Sequence, residues 1–211
     1  MKKLTVFLFS IFFLSSTSVF AKSSMEALLE VGKGDVEKGI EHITKWANKG
    51  NSSALFFLGN LYFELGSPED AELLLIKASE LNHPVAMKFL ATGYFKGLLG
   101  DTDYNKARYW FEESAKYGNI NSIVYLGIIY REGLGVEKNL KTSYMWFTIA
   151  GILKEDSSGG KEPEEFAKEV ATYLSQSEID DAKNLASNWS SDILIKDVTI
   201  PSIPGPEDFN D

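Results

Sequence analysis

The sequence predicts an all-α chain built as an array of stacked helix pairs. Three observations predict it. Leu90, Tyr94, Gly97, Leu98, Trp110 and Phe111 recur 36 positions later as Leu126, Tyr130, Gly133, Leu134, Trp146 and Phe147 in unbroken register, and a fixed period of that size marks a repeat array. Within each period the apolar residues fall at the spacing of one helical face. Glycines then punctuate the stretch between two such faces.

Residues 1–21 read as an export signal. Lys2 and Lys3 supply a basic start, Leu4 to Leu14 is almost wholly apolar, and Ser15 to Ser18 leads into Val19-Phe20-Ala21 with small side chains where a signal peptidase cuts. An apolar core of about eleven residues is well short of the ~20 that a spanning helix needs. Cleavage after Ala21 predicts a periplasmic or secreted protein with no stable membrane insertion after signal removal. No cysteine follows the cut, so no lipid anchor is implied.

The array covers 22–154 in four units, about 22–53, 54–85, 86–121 and 122–154. In the third unit Ala86, Leu90, Ala91 and Tyr94 line one face of a first helix; Ala54, Leu58, Gly59 and Tyr62 fill these places in the second unit, and Ser122, Leu126, Gly127 and Tyr130 in the fourth. The small residue at Gly59, Ala91 and Gly127 lowers helix propensity, and its predicted reason is the close approach of a second helix. That second helix starts at Asp103 and Asn139, both N-cap residues. It carries Ala107, Trp110, Phe111 and Ser114 in one unit, and Ser143, Trp146, Phe147 and Ala150 in the next, with both tryptophans expected in the core.

In the second unit the linker is four residues shorter, and Ser67-Pro68-Glu69-Asp70 combines a capping serine, a first-position proline and first-turn acids. Ala71, Leu74 and Ala78 follow as its inner face. The pairs Gly97/Gly100 and Gly133/Gly135 are expected at positive φ. Gly39, His42, Trp46 and Ala47 occupy second-helix places of a degenerate first unit, whose first helix runs from about Ser24 to Val31.

Residues 155–191 form a linker and C-terminal capping helices. Asp156 to Lys161 is the linker; Pro163 to Leu174 presents Phe166, Val170 and Leu174. A helix begun by Ser177 with Asp180 carries Ile179, Ala182, Leu185, Ala186 and Trp189. Residues 192–211, with Pro201, Pro204 and Pro206, are an extended or disordered tail.

The pattern Ala-x-x-x-Leu-Gly-x-x-Tyr-x-x-Gly-x-Gly-Val, then Asp-x-x-x-Ala-x-x-Trp-x-x-x-Ala, resembles the Sel1-like repeat, a relative of the tetratricopeptide repeat. The third and fourth units carry it well, the second is shortened and the first is weak. The resemblance implies a right-handed α-solenoid that acts as an adaptor or scaffold.

Composition bounds the partners. Thirty acidic residues against 21 basic ones leave a net charge of −9, and there is no cysteine. Stability therefore rests on an apolar core rather than on disulfides. A nucleic-acid partner is disfavoured, because phosphate binding needs a basic stripe; the acidity suits solubility or a basic protein partner.

Chemistry is sparse. Ser158 and Lys161 have the Ser-x-x-Lys spacing of acyl-transferring serine enzymes, which makes a serine hydrolase or β-lactam-binding enzyme the alternative from another class. The pair sits around two linker glycines without companion motifs, and the β-lactam-linked branch of the resembled family is rich in cysteine. Asp101, Asp103, Asn105 and Glu112 have calcium-loop spacing, but Lys106 stands where that loop needs glycine. His42 and His83 have no second ligand at metal spacing. The expectation is a non-enzyme with no cofactor and no metal.

If the helices stack as in tetratricopeptide arrays, places three, seven, ten and eleven of each first helix line a concave groove. These are Phe56, Asn60, Phe63 and Glu64, then Lys88, Thr92, Phe95 and Lys96, then Val124, Ile128, Arg131 and Glu132. Aromatics beside charges have the composition of an interface core with a polar rim. Burial between neighbouring first helices is the other reading, and both stay open here. The predicted function is a protein–protein adaptor or scaffold; an immunity or inhibitor protein that occludes a toxin or envelope enzyme is the alternative.

Overall fold

Short polar side chains start the helices. Asn51, Asp103, Asn119 and Asn139 each stand in extended backbone and accept a hydrogen bond from an amide two or three residues on, which satisfies one of the unpaired first-turn N–H groups. The computed structural model describes residues 36–154 and 163–194. The expected signal segment, the first helix of the first unit, the linker with Ser158 and Lys161, and the chain beyond Leu194 lie outside the described residues.

Nine helices lie among the described residues: α1 (Val36–Asn48), α2 (Ser52–Glu64), α3 (Pro68–Glu80), α4 (Pro84–Lys96), α5 (Tyr104–Ala115), α6 (Ile120–Glu132), α7 (Leu140–Leu153), α8 (Pro163–Ala171) and α9 (Gln176–Leu194). The fold divides between His83 and Pro84 into two compact units.

In the first unit α1 packs on α2, and α2 pairs with α3. Ile43, Ala54, Leu58, Ala71, Leu75 and Ala78 are buried between them. The inward leucine of α3 is Leu75, not Leu74, which is half-buried. Leu75 stands in the place of Phe111 and Phe147, while Leu74 takes the tryptophan place. Tyr62 is 38% exposed, whereas Tyr94 is 4% exposed, so the tyrosine place is covered unevenly. α3 starts at Pro68 with Glu69 and Asp70 in its first turn, but the Ser67 hydroxyl makes no cap bond. Its C-terminus closes on Asn82, at φ 60°. The Asn82 N–H donates to the Ser79 carbonyl at 2.9 Å, and that of His83 donates to Ala78 at 3.1 Å, the paired bonds of a left-handed helix stop.

In the second compact unit α4 pairs with α5, α6 pairs with α7, α5 packs on α6, and both α8 and α9 lie against α7. Gly97, Gly100, Gly133 and Gly135 all have positive φ, as their spacing predicts. Asp103 and Asn139 are helix caps, so the calcium-like acids mark a helix start. Phe111, Leu126, Phe147 and Ala150 are fully buried and Trp146 is 8% exposed. Trp110 is only half-buried, held edge-on to Tyr109 at 4.9 Å.

The start of α9 lies two residues earlier than expected. Ser175 accepts from the Glu178 N–H, and the Glu178 carboxylate accepts from the Ser175 N–H at 2.8 Å, a reciprocal capping box. That carboxylate is held below its usual pKa by the Ser175 hydroxyl and backbone N–H bonds. Ala182, Ala186 and Ser190 form the buried stripe of α9, which leaves Leu185 exposed. The helix runs to Leu194, so Asp192 and Ile193 are helical, as nothing before Pro201 removes a backbone donor.

The glycines at the small-residue place have the reason their position predicts. A Cβ on Gly59 would lie 2.9 Å from Leu75 Cγ, and one on Gly127 would lie 2.5 Å from Phe147 Cε1. Phe147 is fully buried and stacks on Phe166 at 5.0 Å, so its ring has nowhere to retreat. Overpacking costs about 1–3 kcal/mol and outweighs the roughly 1 kcal/mol of helix propensity that alanine adds. Gly127→Ala should therefore lower stability in urea unfolding, and the same change in a Phe147→Leu background should be neutral or stabilising. Equal effects in both backgrounds would remove close approach as the reason for the glycine.

Candidate functional site

The twelve first-helix residues separate by depth. At place three, Phe56, Lys88 and Val124 are half-buried, as are Asn60, Thr92 and Ile128 at place seven and Phe63, Phe95 and Arg131 at place ten. At place eleven, Glu64, Lys96 and Glu132 are exposed. Only this last set is exposed in all three described first helices.

Internal contacts account for much of the burial. In the first compact unit the Phe56 ring stacks on His83 at 4.9 Å with 21° between planes. In the second, Phe95 meets Tyr104 at 5.5 Å, Phe111 at 6.1 Å and Tyr125 at 5.0 Å, each edge-on. Burial lowers the Lys88 pKa below the usual lysine value, and Thr92 returns its hydroxyl to the Lys88 carbonyl at 2.9 Å. Aromatic contacts of this geometry add stability beyond area burial. Phe56 and Phe95 are thus committed to packing.

Helix α8 covers the fourth-unit places. Val124 and Ile128 pack on the cluster of Tyr144, Phe147, Ala167, Val170 and Ala182, which Phe166 also joins. The Arg131 guanidinium lies 5.5 Å from the Phe166 ring centroid and 6.0 Å from that of Phe147. Its Nε donates to Glu132 at 2.7 Å, and Nη1 sits 3.9 Å from the Glu169 carboxylate. A flat cation between two rings and two acids is held by cation–π and charge-assisted contacts together. Phe166 and Glu169 are the partners that the sequence reading missed. The Phe166/Val170/Leu174 spacing signals a capping face but not the surface it caps.

Asp103 Oδ1 accepts from the Asn105 N–H at 3.1 Å and the Lys106 N–H at 3.0 Å. Among the described residues no group of three metal-ligating side chains comes together, and no helix is long and apolar enough to cross a membrane.

Comparison with known proteins agrees with this geometry. The Sel1 repeat family model matches residues 28–51, 52–83, 84–119 and 120–153. Protein SHC1 of Saccharomyces cerevisiae is 29% identical over 123 residues, which is 58% of this chain and 23% of SHC1. The chain thus spans less than a quarter of the length of the curated relatives it matches. A protective antigen of uropathogenic Escherichia coli with an SLR fold superposes with a TM-score of 0.61 at 24% identity, over 79% of this chain and 37% of that one. A Sel1 repeat protein from Oxalobacter formigenes superposes with a TM-score of 0.59 at 21% identity, over 85% and 74% of the two chains. The architecture is an all-α helical-repeat solenoid.

His83, 1% exposed beneath Phe56, has its pKa pushed down to about 4 by desolvation, partly offset by a backbone hydrogen bond. The folded state therefore favours the neutral ring. Its contribution is complete above the ordinary value near 6.5 and is lost as pH falls from there toward 4, by about 3 kcal/mol. Urea midpoints of the first unit should fall across that window, and His83→Asn should flatten the fall. An unchanged slope in the variant would exclude His83 as its origin.

Proposed function

The chain belongs to the Sel1 repeat family, whose members generally serve as protein–protein interaction scaffolds, and from that premise we propose that it is an exported, non-enzymatic adaptor. It binds a partner protein through the first-helix faces of its repeats. The carrying observation is that every described first helix ends in an exposed charge, Glu64, Lys96 or Glu132, which in the second repeat stands beside half-buried Phe63. A polar rim around partly buried anchors is the composition of a protein interface. The places open to a partner are accordingly the helix ends rather than Phe56 or Val124. Export is supported by the basic, apolar and small-residue order of residues 1–21.

The acidic balance of the chain favours a basic partner, and it also supports the second reading, an immunity or inhibitor protein. The two part on outcome: an inhibitor silences the activity of what it binds, and a scaffold does not.

Photo-crosslinkers placed at Lys96 and Glu132 should trap the same partner in intact cells, while one at Lys183, exposed on α9, should not. Adducts from Lys183 alone would remove the first-helix assignment. For export, amino-terminal sequencing of the protein recovered from its native cells should start at Lys22. An intact Met1 would refute cleavage.

A further inference from the structure

Between α1, α2 and α3 lies an open cavity of about 610 Å³, within the roughly 300–1,000 Å³ of small-molecule sites. Leu58, 4% exposed, lies at its depth, and Tyr62, Leu73 and Leu81, all exposed, stand around its mouth. All these residues belong to the first unit.

The repeat register explains why this space is open. Helices α3, α5 and α7 start at Pro68, Tyr104 and Leu140, each 36 residues after the last. In that register the buried places coincide: Ala71, Ala107 and Ser143; Leu75, Phe111 and Phe147; Ala78, Ser114 and Ala150. Leu74 then stands where the other two helices carry Trp110 and Trp146, and Lys77 stands where α7 carries the fully buried Ile149. Around Trp146 the second unit is closed: the indole is 8% exposed, and the Trp189 ring meets it edge-on at 5.2 Å and 81°. The fourth repeat meets this place with two indoles, and the third with the half-buried Trp110. The second repeat meets it with a leucine beside open space.

We infer that the cavity of the first unit is a binding site for a neutral aromatic molecule of one or two fused rings. The shape follows from what the same place holds elsewhere in the chain. Leu55, Leu58, Leu73, Leu74 and Leu81, the apolar part of a mixed wall, reward burial of such a ring in proportion to the area removed from water. Lys77, on the wall, supplies a cation to lie over the ring face, as Lys49 does over Trp46 at 4.6 Å and Lys106 over Tyr94 at 4.8 Å. Neutrality follows from the charges. Asp70 and Glu80 also line the cavity and together outweigh Lys77, so a ligand carboxylate would meet net repulsion.

Indole is the probe. Titrated into the purified chain and followed by amide NMR, it should give saturable shifts at Leu58, Leu73 and Leu74, and the anion indole-3-acetate should bind more weakly. Leu74→Trp installs the residue of the other units and should reduce indole affinity about tenfold or more without lowering the unfolding temperature. Leu73→Glu changes an exposed place, leaves the core intact and should weaken binding likewise, which decides the matter if Leu74→Trp does not fold. No saturable shift up to the solubility of indole, indole-3-acetate binding as tightly as indole, or binding unchanged in a folded variant, would overturn the assignment.

Discussion

The contact on which the array depends is the close approach of each first helix to its second helix at one small residue. In α2 and α6 that residue is glycine, and the side chain filling the space is Leu75 or Phe147, both fully buried. Packing at interior density leaves no slack there. In the fourth unit the approach brings a hydroxyl to the buried backbone, as Ser143 donates to the Gly127 carbonyl at 2.8 Å. A serine chain of the same kind runs from Ser122 to Ser114 at 2.9 Å and on to the Pro84 carbonyl at 3.3 Å. Small polar residues at the crossing therefore satisfy themselves without adding bulk, and the large rings fill the space beyond.

Once the helices are held that close, the turns have little freedom. The longer linkers of the third and fourth units use glycines at positive φ and close on Asp103 and Asn139, whose backbone N–H groups donate to the Tyr94 and Tyr130 carbonyls at 3.0 and 2.9 Å. The shorter linker of the second unit closes through Gly66 at φ 81° and Pro68. Two different lengths thus deliver the same pairing, because helix crossing sets the geometry and the linker has only to reach.

Residues that obey the repeat were legible in the sequence. Ala86, Leu90, Ala91, Phe111, Leu126 and Phe147 lie where the 36-residue register puts them, fully buried. The register could not say how far a ring at a shared place is covered, because burial depends on what the next element brings. Trp146 is closed over by Trp189, while Trp110 remains half-exposed beside Tyr109. The capping box shows a different limit. Ser175/Glu178 and Ser177/Asp180 both pair a serine with an acid three residues on, and only the fold of the preceding turn selects the first.

The candidate partner face was the least legible part, and the reason lies in helix geometry. On a first helix, places three, seven and ten fall on one stripe by the 3.6-residue repeat, and that stripe borders the elements stacked beside it as well as the open face. Whether a residue there packs or binds is decided by the neighbour. In the fourth unit the neighbour is α8, and Phe166 with Glu169 take Val124, Ile128 and Arg131 out of contention. In the third unit Phe95 is surrounded by Tyr104, Phe111 and Tyr125. Place eleven is turned about 100° further round from place ten and escapes in all three described units, at Glu64, Lys96 and Glu132. A surface built from that place can vary its charge from repeat to repeat at little cost to the core, which is the latitude the proposed adaptor role needs.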